Sequence, residues 1–110
     1  MTVEELSNRA GFEVVSGKDG LVNEISGCYI GDLLSLAMSS VKAGNIWITI
    51  QTNINIVAVS VLTEAACVLL CDGQKPDDAA VKKSNMEDIP ILQSTKSAYE
   101  LACILHDMGI

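Results

Sequence analysis

The apolar positions of this chain fall into blocks whose spacing switches between two periods. In "TVEELSNRAGF", Val3, Leu6 and Ala10 recur at helical spacing. Thr2 and Glu5 have the spacing of a capping box, and Gly11 stands where a helix closes in a left-handed turn. "FEVVSG" reads as a short strand and "KDG" as a turn. "LVNEISGCYIGD" reads as extended, with Ile25 and Tyr29 punctuated by Gly27 and Gly31. Asp32 is the expected N-cap of a helix, "LLSLAMSSVKAG", that stops at Gly44.

The least polar long stretch is "NIWITIQTNINIVAVSVL", residues 45–62. Strands usually run ~3–10 residues, so this is not one strand. Ile46, Trp47, Ile48, Thr49 and Ile50 are poor helix formers, so it is not one helix. The break falls at Gln51-Thr52-Asn53-Ile54-Asn55, because Thr52, Asn53 and Asn55 are capping residue types. The pattern predicts a strand at 46–51 and a helix at about 54–64. That helix is apolar on nearly every face and is expected to be deeply buried, within one chain or between two. Trp47, Thr49 and Gln51 share one strand face, opposite Ile46, Ile48 and Ile50. Trp47 is then core, or contact surface for a second subunit.

"ACVLLCDG" is a continuous apolar run closed by Asp72-Gly73, the pattern of a strand buried on both faces. Pro76-Asp77-Asp78 starts a polar helix reaching about Asn85. "IPIL" is a short strand, with Pro90 at its first position or on an edge. Ser94, Thr95 or Ser97 caps a last helix carrying Tyr99, Leu101, Ala102, Leu105 and Met108, and Gly109 ends it. The expected fold is α/β: a three-layer-like domain with a mostly parallel sheet built from βαβαβα. Its strands lie at about 46–51, 66–71 and 90–93, with an N-terminal helix and one or two extra strands.

Composition narrows the function. A chain of 110 residues, 49% hydrophobic and 19% charged, reads as one ordered domain, 1–110. Its net charge of −7 argues against nucleic acid or an anionic membrane surface as partner. Lys82-Lys83 is the sole adjacent basic pair. The acidic start Met1-Thr2-Val3-Glu4-Glu5 does not read as a secretion signal, and Gln51, Asn53 and Asn55 interrupt the longest apolar run. A soluble, cytoplasmic protein is expected. Cys28, Cys67, Cys71 and Cys103 then read as thiols in apolar surroundings rather than disulfides. Along one strand, Cys67 and Cys71 would stand roughly 13 Å apart, too far for one zinc ion with its ~2.3 Å bonds. No metal or cofactor is expected.

In an open parallel sheet, ligands bind beyond the carboxyl ends of the strands. Those ends are Gln51-Thr52-Asn53 with Asn55, Asp72-Gly73 and Ser94-Thr95. Each precedes a helix and so can offer free amides to an anion. The same residue types also serve plain caps and turns. "GFEVVSGKD" misses a phosphate loop, with five residues between its glycines and Asp19 where a hydroxyl is needed. His106, the single histidine, sits at a helix end with no assignable catalytic partner. The acidic pairs Glu4-Glu5, Asp77-Asp78 and Glu87-Asp88 read as solvated helix starts or loops.

Two strings, "ISGCYIGDLLS" and "WITIQTNINIVAVSVL", resemble the DRTGG domain family. The likeness extends over essentially the whole chain, including "CDGQKPDDAAVKKSNMEDIPIL". The Asp-Arg-Thr-Gly-Gly string that names the family is absent; Cys71-Asp72-Gly73 is its nearest counterpart. The resemblance implies an α/β domain, similar in fold to the N-terminal domain of HPr kinase/phosphorylase, that often pairs with itself and accompanies regulatory or catalytic partners. It implies no catalytic residues.

The leading expectation is therefore a non-catalytic regulatory module, homodimeric, binding a small anionic or nucleotide ligand. Its candidate ligand residues are Gln51, Thr52, Asn53, Asn55, Asp72, Gly73, Ser94 and Thr95. Its candidate interface residues are Cys28, Tyr29, Ile30 and Trp47. A second reading is a component docking on a kinase or anti-sigma-type ATPase, through Cys28-Tyr29-Ile30 or the outer face of helix 32–42, where Ser35, Ser39 and Ser40 lie. A third, an enzyme acting on phosphorylated or acyl metabolites, lacks a recognisable nucleophile, base or metal set.

Overall fold

A computed structural model describes residues 1–110. The capping box at the N-terminus forms: Thr2 Oγ1 accepts the Glu5 amide at 3.2 Å, and Glu5 returns the bond to the Thr2 amide. It starts helix α1, Val3–Ala10, which Gly11 closes at φ 73°. Strand β1 is Glu13–Ser16. The expected "KDG" turn is a full 3₁₀ segment, Lys18–Val22, so Leu21 and Val22 are not extended. Strand β2 is only Gly27–Ile30.

The alternation that follows is the expected one: α2 (Leu34–Ser40), β3 (Asn45–Thr49), α3 (Asn55–Thr63), β4 (Cys67–Leu70), α4 (Asp78–Glu87), β5 (Ile91–Gln93) and α5 (Ala98–Asp107). The five-stranded sheet has the order β1-β5-β4-β3-β2. Strands β2 to β5 are parallel neighbours, and β1 lies antiparallel to β5. Pro90 precedes an internal strand rather than lying on an edge; its carbonyl still accepts the Val68 amide.

Because β2 to β5 follow one another in both sequence and space, every crossover steps the same way. Right-handed connections then put α2, α3 and α4 on one face. Trp47, Val68, Leu70 and Ile91 pack there against Ala37, Ile56, Val57, Val59 and Ala80. On the other face Ile46, Ile48, Cys67, Leu69 and Leu92 pack against Val3, Leu6, Leu101 and Leu105 of α1 and α5. The period-2 split of β3 is therefore real, and the domain has three layers.

Three expectations need correction. Leu33, not Asp32, is the N-cap of α2, and no side chain caps it; the helix ends at Ser40, four residues before Gly44. Second, α3 is not buried all round. Ile56, Val57, Val59 and Ser60 face the sheet, while Ile54, Ala58, Val61 and Leu62 are exposed. A single helical layer has one covered side, whatever the composition of the other. Third, Cys28 and Cys103 are exposed; only Cys67 and Cys71 are buried.

Candidate functional site

Four parallel strands bring four carboxyl ends to one rim. The hydrogen bonds that stitch this rim run between neighbouring turns. The Cys71 amide donates to the Thr49 carbonyl at 3.3 Å and the Asp77 amide to the Thr52 carbonyl at 2.9 Å. The Gly73 amide donates to the Ser94 carbonyl at 3.0 Å and the Asp72 amide to the Lys96 carbonyl at 2.9 Å. The turns at 51–55, 72–73 and 94–95 are thus assembled side by side, as the parallel order requires.

Within the rim the predicted residues separate into two groups. Gln51, Asn53 and Asn55 mainly satisfy one another and the backbone. Asn53 Oδ1 accepts the Asn55 amide at 2.9 Å, and Asn53 donates to Gln51 Oε1 at 3.2 Å. Gln51 in turn donates to the Asp32 carbonyl at 2.8 Å. The next helix amides are taken too, Ile56 by the Asn53 carbonyl and Val57 by the Ile54 carbonyl. The first turn of α3 is closed from within at Asn55, Ile56 and Val57, while the Thr52, Asn53 and Ile54 amides just ahead of it have no partner.

Gly73, Ser94 and Thr95 instead line a cavity of about 310 Å³. Its other walls are Ala10, Gly11, Phe12 and Glu13, from the end of α1 to the start of β1, with Lys75, Gln93 and Lys96. Asp72 does not line it. The two lysines and the α1 end escape a reading of the sequence, because the cavity joins three segments far apart in the chain. Basic residues on the two loops after β4 and β5 were the available signal.

Asp32 is the other residue that sequence reasoning misplaces. Its Oδ1 accepts from Thr49 Oγ1 at 2.9 Å and from the Ile50 amide at 3.0 Å. It is a clasp between the ends of β2 and β3, not a helix cap. Beside it Cys71 Sγ lies 3.6 Å from an Asp72 carboxylate oxygen. Burial, then the charge of Asp72, pushes the Cys71 thiol up to about 11. Burial raises the Cys67 thiol as well. Both thiols therefore keep their protons at neutral pH, the opposite of an activated nucleophile.

Of the candidate interface residues, Trp47 is removed. It is fully buried, and its indole N–H donates to the Gly31 carbonyl at 2.9 Å within the same chain. Cys28 and Ile30 are exposed and Tyr29 is half-buried, on a strand that has only one neighbour in the sheet. His106 is exposed in the last turn of α5. The largest cavity, about 510 Å³, lies at the opposite end of the sheet. It is walled by Glu24, Glu64, Glu87 and Asp88 among others, and none of the candidate site residues reaches it. No helix is long and apolar enough to cross a membrane.

The DRTGG domain family matches residues 5–108. The chain belongs to that family. A solved structure shares its fold at a TM-score of 0.72 with 10% sequence identity, over 92% of this chain. That structure is of the CBS and DRTGG domains of the regulatory region of Clostridium perfringens pyrophosphatase, complexed with its activator, diadenosine tetraphosphate. This chain spans 44% of its length. No curated protein matches the chain.

Proposed function

We propose that this chain is a non-catalytic regulatory module that senses a small anionic or nucleotide ligand at the carboxyl rim of its sheet and works as a homodimer. The observation that carries the ligand reading is the stitched rim with its open cavity, in the place where open parallel sheets take ligands. Membership of the family supports a regulatory role, as does a fold shared with a regulatory region that binds a nucleotide activator. The test is thermal unfolding against adenine and guanine nucleotides, dinucleoside polyphosphates, pyrophosphate and acyl phosphates. A ligand at 100 times its Kd adds about 2.7 kcal/mol, which in a domain of this size raises Tm by about 10 °C. A flat panel overturns the ligand reading.

The pairing reading rests on β2 and the helix that follows it. An edge strand normally carries Lys, Pro or a bulge to discourage pairing. Gly27–Ile30 carries no charge and no proline. Beyond it, Leu33, Leu36 and Met38 are each at least half exposed, and Leu34–Ser40 has no ionisable residue. In a chain of net charge −7, an uncharged surface is where two copies approach without repulsion. Antiparallel β2–β2 pairing about a two-fold axis would make one continuous sheet. Sedimentation is expected to give a dimer, and an Ile30→Asp/Leu33→Asp variant a folded monomer. A monomeric parent chain would shift the reading to the alternative, in which this face docks on a kinase or anti-sigma-type ATPase.

A further inference from the structure

We propose that the ligand seat is the cavity between Lys75 and Lys96, and that it takes a phosphate-bearing group with at least two phosphoryl units. This rests on the ligand-sensing reading and places its chemistry, moving it away from the asparagine cluster at 51–55. Both lysines line the cavity, and both side chains are exposed at its mouth. Neither forms an ion pair; the two salt bridges of the chain are Met1–Glu24 and Lys83–Glu87. In a protein with 7 basic residues against 14 acidic ones, two lysines outside any ion pair on the lining of one cavity bring positive charge to it.

One wall residue opposes an anion, while the loop backbone suits it. Glu13 is the one carboxylate among the lining residues. It is engaged by Gln93, whose Nε2 donates to it at 2.6 Å. The backbone amides of Lys75 and Thr95 have no partner. The loops that carry them are already fixed. The Lys96 amide donates to Ser94 Oγ at 3.1 Å, and the Asp72 and Gly73 amides tie the β4 loop to the β5 loop. A Cβ placed on Gly73 would meet nothing within 4 Å, so the turn leaves its side of the cavity open.

Phosphate fits this set better than carboxylate. No arginine lines the cavity, so no planar fork is available for bidentate carboxylate recognition. Two ammonium groups, a threonine hydroxyl and free amides suit a compact oxyanion with acceptors in several directions. The volume is at the small end of ligand pockets, roughly 300–1,000 Å³. A diphosphate or the phosphates of a nucleotide would fill it, with the nucleoside projecting to solvent.

The experiment is titration calorimetry of the full chain at low salt with pyrophosphate, inorganic phosphate and the nucleotides of the thermal panel. Pyrophosphate is expected to bind more tightly than phosphate. Lys75→Gln and Lys96→Gln should each weaken binding about tenfold, as for a lost charge-assisted hydrogen bond. Lys82→Gln on α4 should change nothing. Nucleotides that bind only through these lysines, where pyrophosphate does not, also support the seat and name a nucleotide as its source. Binding that survives in the double variant but falls in Asn53→Asp overturns this seat and leaves rim sensing intact. No binding of any anion overturns both.

Discussion

Replacing Trp47 with alanine is expected to lower Tm by about 12–20 °C. Trp47 is the largest fully buried side chain, packed among α2, α3 and the sheet. Truncating such a residue costs about 3–5 kcal/mol, in lost transfer energy and in the cavity left behind. At about 4 °C per kcal/mol for a domain of this size, the range follows. The loss also leaves the Gly31 carbonyl without its indole donor. Calorimetric or circular-dichroism melting checks it, and concentration decides its meaning. A core tryptophan gives the same drop at every protein concentration. A drop that vanishes on dilution would return Trp47 to a subunit interface and refute its place in the monomer core.

The local rules that placed Trp47 on one face of β3 worked because a strand alternates regardless of what surrounds it. The first capping box was legible for the same reason, since Thr2 and Glu5 need only each other. At the last helix Ser94, Thr95 and Ser97 all stood as caps, and the structure selects Ser97, paired with Glu100. The break between β3 and α3 was written in three capping residues, Thr52, Asn53 and Asn55. What could not be read was anything set by distant chain. Asp32 stands before a run of leucines and looks like a cap, but its partners are Thr49 and Ile50 on the neighbouring strand. The composition of α3 is apolar all round, yet only the order of the sheet decides that its outer side is left bare. The rim was legible as a place, since parallel strands put their ends together. Its internal division was not. Asn53 could have served a ligand or its own helix, and only the geometry of Asn53 with Asn55 shows the second. Lys75 and Lys96 were visible only as basic residues on two separate loops, and the fold alone puts both on one cavity.

Two glycines with nearly the same backbone make the second large prediction. Gly17 has φ 70° and Gly73 has φ 73°, both in the left-handed region. Alanine there costs roughly 1–2 kcal/mol from backbone alone. At Gly73 that is the whole cost, since the added Cβ meets open space. At Gly17 the Cβ would sit 2.2 Å from the Ile89 carbonyl oxygen and 2.7 Å from the Pro90 nitrogen. These are backbone atoms leading into β5, so they cannot yield as a side-chain tip would. The Gly17 amide is also held, donating to Asn85 Oδ1 at 2.8 Å, and the adjacent Ser16 and Ser84 hydroxyls are 2.7 Å apart. Moving β1 aside breaks both contacts with α4. Overpacking of this kind adds about 1–3 kcal/mol. Urea unfolding should therefore show Gly17→Ala losing roughly 2–5 kcal/mol, against roughly 1–2 kcal/mol for Gly73→Ala. Equal losses would mean that β1 does not pack on the loop before β5 as described. The milder variant is also the useful one. Gly73→Ala meets no clash, so backbone strain is the one cost it reads.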